Sequence, residues 1–413
     1  MRLPVLSEEE MDARQQELGA RIAGRRGAVR GPFRVRPHSP EMCERAESLG
    51  AFARFDRSLP QHLRELPSLT PEDVARAFDH AERGDTPARK LAPPLAAGNA
   101  AVFKPATETP LSGLHFARAL HDAGLPAGVL NVVTGRTAEI EDALLDDPRI
   151  VGITFTGSNA VGNRIRRRLA DRNVRFQGEL GGKNASVVLR DADLPAAAKA
   201  VAAASFGQAG QRCTATSRVI VEQPVYAEFA RLLVEEVEAL TIGPGSDPAT
   251  TLCPLSSPKQ RDSVLAHLAG AVEQGATVLT GGTADTEGER AHGCYVRPTV
   301  LAGVTPETAI WREEVFGPVL ALRAVPDFDA AVEAVNDSDF GLAAAVFTRE
   351  LSRAYRFADE AECGQVAVNT TTGWDVHLPF GGIRDSGTAY KEQGEEVLRF
   401  STRVKTVAVH FGA

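Results

Sequence analysis

From about residue 88 onward the chain alternates short apolar strands with helices, and most of the strands run into a turn marked by glycine or proline. Residues 100–104 read as a strand, 110–121 as a helix and 129–134 as the next strand. Residues 153–156 form a further strand that opens through Gly157 and Ser158 into a helix near Val161, and 174–177 lead into a turn at Glu179. Successive βα units of this kind wind a mostly parallel sheet with helices on its faces. Residues 1 to about 85 have a different texture. They are rich in Arg, Glu and helix formers, and prolines at 32, 37, 40, 60, 67 and 71 cut them into short amphipathic helices.

The 413 residues, 43% of them hydrophobic, suffice for two or three ordinary cores, so several domains are expected. No apolar run is long and uncharged enough to span a bilayer, and the first residues have no apolar signal segment, which predicts a soluble, cytoplasmic protein. A net charge of -8, spread along the chain, argues against nucleic acid as a ligand. Five widely spaced cysteines, without a CxxC pair or neighbouring histidines, suggest neither a disulfide framework nor a metal site.

The chemistry concentrates in two glycine-flanked turns. The first is Glu179-Leu180-Gly181-Gly182-Lys183-Asn184; the second, some thirty residues on, ends in Gly210-Gln211-Arg212-Cys213. A thiolate attacks carbonyl carbon. A carboxylate raised by partial burial accepts a proton from that thiol or from a hydrolytic water near neutral pH. Glycines let backbone N–H groups approach a reacting oxygen. A strand ending in Gly157-Ser158 and running into a helix presents N–H groups suited to a pyrophosphate.

Together these segments resemble the aldehyde dehydrogenase superfamily, from about Lys90 to the C-terminus. The resemblance implies oxidation of an aldehyde to a carboxylate with NAD or NADP, through a thiohemiacetal and thioester on Cys213, with Glu179 as base. It implies that Gly157, Ser158, Gly162, Leu180 and Gly181 bind the cofactor and that Lys104 holds the adenosine ribose. Thr107 stands where NAD-specific members often carry glutamate, which permits NADP without demanding it. Glu314 and Phe316, in Glu313-Glu314-Val315-Phe316-Gly317-Pro318, match the nicotinamide-ribose carboxylate and its aromatic neighbour. Trp374 and Phe380 match the substrate funnel, whose flanking residues look more like members acting on semialdehydes of short acids. Glu392, with one residue inserted, matches a second carboxylate that relays protons with Lys90. The end of the chain, 402–409, alternates as an edge strand and implies a homo-oligomer.

Two departures shape the expectation. Residues 38–66 are faintly similar to the start of carboxymuconolactone decarboxylase-like proteins rather than to the family, and no Pro-Trp-Asn, whose asparagine completes the family's oxyanion hole, occurs in the sequence. The expected architecture is therefore α/β and aldehyde dehydrogenase-like. It comprises a helical N-terminal appendage (1–87), an incomplete Rossmann-type cofactor domain lacking its first strand (88–210), a catalytic domain (211–384) and a return to the cofactor domain with an oligomerisation tail (385–413). Activity is expected to be impaired. The alternatives are an impaired subunit that pairs with a full-length paralogue and a cofactor-independent thiol esterase.

Overall fold

The structure, a computed structural model, describes residues 82–371 and 377–410. The expected N-terminal appendage up to residue 81, and Trp374, lie outside the described residues.

The smaller unit comes first. Helix α1 (Glu82–Ala96) crosses the boundary expected at 87 and carries Pro87, Pro93 and Pro94. Strand β1 (Ala101–Phe103), α2 (Pro110–Asp122), β2 (Leu130–Val132), α3 (Thr137–Asp146), β3 (Gly152–Thr156), α4 (Asn159–Arg168) and β4 (Arg175–Glu179) follow in the βα order read from the sequence. β1 pairs in parallel with β2, and β3 with β4, but the two pairs are separate sheets among the described residues. Among the described residues this unit is thus two separate strand pairs rather than one sheet. Its core is correspondingly small, with Leu145, Ile165 and Leu169 packed against Ile153, Phe155 and Phe176.

The larger unit is one seven-stranded sheet. It uses β5 (Asn184–Val188), β6 (Thr216–Glu222), β7 (Thr277–Thr280), β8 (Thr299–Ala302), β9 (Val319–Val325), β11 (Ala343–Phe347) and β12 (Gln365–Val368), while the short β10 (Phe340–Gly341) pairs outside it with Ile383–Arg384. The spatial order is β12-β11-β5-β6-β9-β8-β7, parallel except for β7 on the edge. Central strands such as β5 and β11 are buried along their whole length, as a parallel sheet covered on both faces requires. Helix α5 (Leu194–Phe206) is Ala-rich, is capped by the Asp193 carboxylate on Ala196 N, and lies largely buried.

Two expectations are corrected here. The boundary set at 210/211 cuts this sheet, because β5 lies before it yet pairs with β6 and β11. β5 follows β4 after only four residues, and the chain passes from one unit to the other inside the glycine turn. Residues 402–410 form no strand among the described residues and are exposed, Val404 at 99%. An alternating pattern becomes a strand only when a neighbour takes its ladder groups, and the described residues supply none here.

Candidate active site

The site lies where the two units meet. Gln177 and Glu179 are two residues apart on β4 and so share one face of the strand. On that face Gln177 Nε2 donates to Glu179 Oε1 at 2.8 Å, and Lys90 Nζ, from α1, donates to Gln177 Oε1 at 2.6 Å and to the Phe155 carbonyl at 3.1 Å. The same ammonium forms an ion pair with Glu392, and Thr154 Oγ1 also donates to Gln177 Oε1. The line Glu392–Lys90–Gln177–Glu179 is buried throughout. The insertion invoked for Glu392 is accommodated by an antiparallel bridge between Phe380 and Glu392, with N–H···O distances of 2.6 and 2.7 Å.

Burial pushes the Glu179 carboxyl up to about 8; the Lys90 ammonium opposes this, the Glu392 carboxylate adds to it, and Lys391 and the Gly382 amide oppose it. Glu179 Oε2 is buried without a hydrogen-bond partner. A buried carboxylate with one unpaired oxygen and a proton affinity near neutrality has the properties of a general base.

The turn after Glu179 is tied to the thiol turn. Asn184 Nδ2 donates to the Cys213 carbonyl at 2.8 Å and to that of Ala215 at 2.9 Å, while its Oδ1 accepts from Ala343 N at 3.0 Å. A Cβ on Gly182 would stand 2.8 Å from the Cys213 carbonyl, so only glycine allows this approach. On the other side, Gln208, Ala209 and Gly210 are all left-handed, at φ 56°, 55° and 68°. A side chain at Gly210 would place its Cβ 2.2 Å from the Gly317 carbonyl oxygen. This strained turn follows directly from the end of α5 and delivers a half-buried Cys213.

Of the residues expected to hold a cofactor, Gly157 and Ser158 are exposed at the start of α4, and the Ser158 side chain does not cap the helix. Gly162 admits Leu180, whose Cδ2 would lie 2.4 Å from a Cβ there. Glu314 Oε1 accepts from Gly182 N at 2.9 Å, and burial raises the Glu314 carboxyl while the Gly182 amide and Lys183 oppose it. Glu314 and Phe316 line one small solvent-open cleft with Gly182 and Gly210. Lys104 Nζ donates to the Pro105 carbonyl at 2.7 Å, and Thr107 is exposed. Phe380 departs from its expected place in a funnel wall: it is 3% exposed, on the Glu392 bridge, with the Arg89 guanidinium 5.0 Å from its ring centre.

Sequence reading passed over Gln177, Asn159 and Asn184. Asn159 takes Gly181 N on Oδ1 at 2.9 Å and donates to the Asp385 carbonyl, linking the first turn of α4 to the base turn. For Gln177 a signal was present, since strand alternation puts it beside Glu179. Among the described residues no cluster of side chains is suited to a metal ion, and no helix is long and apolar enough to cross a membrane.

A glycine-flanked thiol turn and a buried carboxylate turn thus meet between a unit of βα pairs and a seven-stranded, mostly parallel sheet, an α/β architecture of the aldehyde dehydrogenase type. The chain belongs to the aldehyde dehydrogenase family, which residues 84–407 match. It is 40% identical over 324 residues to the alpha-ketoglutaric semialdehyde dehydrogenase of Bacillus subtilis, covering 78% of this chain and 66% of that protein. It is 44% identical to the alpha-ketoglutarate semialdehyde dehydrogenase of Haloferax volcanii, covering 78% and 67%. Betaine aldehyde dehydrogenase from Staphylococcus aureus, solved in complex with NAD+, superposes with a TM-score of 0.74 at 31% identity, covering 75% of this chain and 62% of that one. An aldehyde dehydrogenase from Bacillus cereus gives 0.75 at 35%, covering 78% and 65%. The chain thus spans about two thirds of the length of these relatives.

Proposed function

We propose that this protein oxidises an aldehyde to a carboxylate with NAD(P), and that the aldehyde is a semialdehyde of a short carboxylic acid. The observation that carries this reading is the buried Glu179 carboxylate, raised to about 8, on a turn joined through Asn184 to the Cys213 turn. In this reading Cys213 Sγ, as thiolate, bonds to the aldehyde carbon while the carbonyl π electrons move to oxygen, where the Cys213 N–H stabilises the charge. Loss of two electrons and a proton from that carbon leaves a thioester on Sγ. Water then attacks, Glu179 takes its proton, and the C–S bond breaks to release the acid and the thiol. The relatives named as semialdehyde dehydrogenases support the substrate class.

NAD(P), when bound, supplies the two-electron acceptor. The residues fit it: α4 is a ten-residue helix whose first turn no side chain caps, so its amides suit a pyrophosphate, and the uncharged, exposed Thr107 admits either dinucleotide. Gly157, Ser158, Lys104 and Glu314 would hold it. The exposed Val404, Val407 and Val409 support a homo-oligomer that pairs through this tail. A second reading, an impaired dehydrogenase subunit, is favoured by the division between the β1–β2 and β3–β4 pairs.

The test is an NAD(P)H absorbance screen of the purified protein against semialdehydes, aliphatic aldehydes and aromatic aldehydes, beside Cys213→Ala and Cys253→Ala. Turnover that survives Cys253→Ala but not Cys213→Ala is expected. Oxidation retained in Cys213→Ala refutes the assignment.

A further inference from the structure

Resting on that reading of the site, we propose that Gln177 is the positioning residue of the base: its amide holds the Lys90 ammonium off Glu179 and leaves Oε2 as the basic atom. The geometry is specific. One end of the Gln177 amide accepts from Lys90 at 2.6 Å and from Thr154, and the other donates to Glu179 Oε1 at 2.8 Å. Lys90 forms its ion pair with Glu392, and among the described residues none joins it to Glu179. Gln177 is 2% exposed, and its oxygen, with two donors on it, cannot turn over without facing the amide N–H groups to Lys90 and Thr154. An amide in this place passes orientation but no proton, because relay through it would require the imidic acid. The charged groups around Glu179 are Lys90 on α1, Glu392 and Lys391 on the returning segment. Of these, the Lys90 ammonium opposes the burial most strongly, and Gln177 sets its distance.

The test reads the titration of Glu179 directly, by carbon NMR of protein labelled at glutamate carboxyls, with the resonance assigned by its absence in Glu179→Gln. Gln177→Met keeps the length and removes the amide, so Lys90 can pair with Glu179; the midpoint is expected to fall by about one to three pH units, as for a carboxylate gaining a cation within reach. Gln177→Glu puts a like charge beside Glu179 and is expected to raise it. Midpoints that stay put in both variants, or move in the same direction, overturn the proposal, whatever either variant loses in thermal stability. If Gln177→Met does not fold, Gln177→Leu, which also removes the amide, is read in its place. The titration needs no turnover, so a parent protein without aldehyde oxidation overturns the catalytic reading while the midpoints still decide the role of Gln177.

Discussion

Asn184→Ala tests how the thiol is held. The Asn184 amide is 4% exposed and satisfies three backbone groups at once: the carbonyls of Cys213 and Ala215 and the N–H of Ala343. Truncation leaves them without that partner, at about 1–3 kcal/mol for each buried group. Carbonyls tolerate the loss better than N–H groups, so the lower half of the range applies and the total comes to about 3–6 kcal/mol. Against a whole-domain stability of about 5–15 kcal/mol this is a large fraction, and it should appear as a lower urea midpoint with an unchanged slope. The same variant frees the Cys213 turn, so the rate of Cys213 alkylation by iodoacetamide should change with it. Asn184→Asp sharpens the test. It keeps the acceptor for Ala343 but turns a carboxylate oxygen toward two carbonyls, and protonation restores a donor, so its stability should recover as pH falls. A loss below about 1 kcal/mol in Asn184→Ala, with an unaltered alkylation rate, would refute the idea that this side chain clamps the turn.

Two further outcomes follow from the same geometry. Glu179→Gln should keep a pre-steady-state burst of NAD(P)H while steady-state turnover falls about 10²- to 10⁴-fold, the usual worth of a general base; loss of the burst as well would mean that Glu179 also deprotonates the thiol. In the parent, turnover should climb as pH rises through about 8, where Glu179 gives up its proton. Lys183 is fully buried and burial brings its ammonium down to about 7, with the nearby Arg218 acting in the same direction. Between 7 and the ordinary lysine range the unfolded chain binds the extra proton, so this group's contribution is present at high pH and lost as pH falls through 7. Lys183→Met should therefore stabilise most below pH 7 and least near pH 10, as urea midpoints across that range would read; a pH-independent difference would contradict it.

Much of this was legible in the residues. Strands that close on glycine turns announced both βα units, and the glycine-flanked Glu179 and Cys213 turns announced the chemistry, because close backbone approach demands glycine and the structure shows what each approach meets. Other features depend on partners distant in sequence. Gln177 is an ordinary strand residue until Lys90, 87 positions earlier, arrives on α1. β5 is buried on both faces like any parallel strand, and nothing in its five residues says which of two sheets it joins. Phe380 looks like a wall residue until the bridge to Glu392 carries it inside, and the alternating 402–409 segment finds no strand partner among the described residues.

The division of the smaller unit bears directly on the chemistry. Asn184 opens β5 of the seven-stranded sheet and Cys213 lies in the turn just before β6; that sheet has a large core including Val187, Ile220, Leu320 and Trp311. Lys90 sits on α1 and Gln177 and Glu179 on β4, in a unit whose two strand pairs share no hydrogen bonds among the described residues. β4 is nonetheless anchored away from the division: Leu180 N donates to the Ser386 carbonyl at 3.0 Å, Thr388 Oγ1 accepts from Gly178 N at 3.0 Å, and Glu179 bridges Gly387. Glu179 is thus fixed to the Cys213 turn through the returning segment and the Asn184 clamp, whereas β1 and β2, at the Lys104 and Thr107 end, reach the returning segment through a bond from Asn99 Nδ2, just before β1, to the Ser401 carbonyl at 2.9 Å. Any weakness from the division should therefore fall first on dinucleotide affinity and only second on the alignment of Glu179 with Cys213.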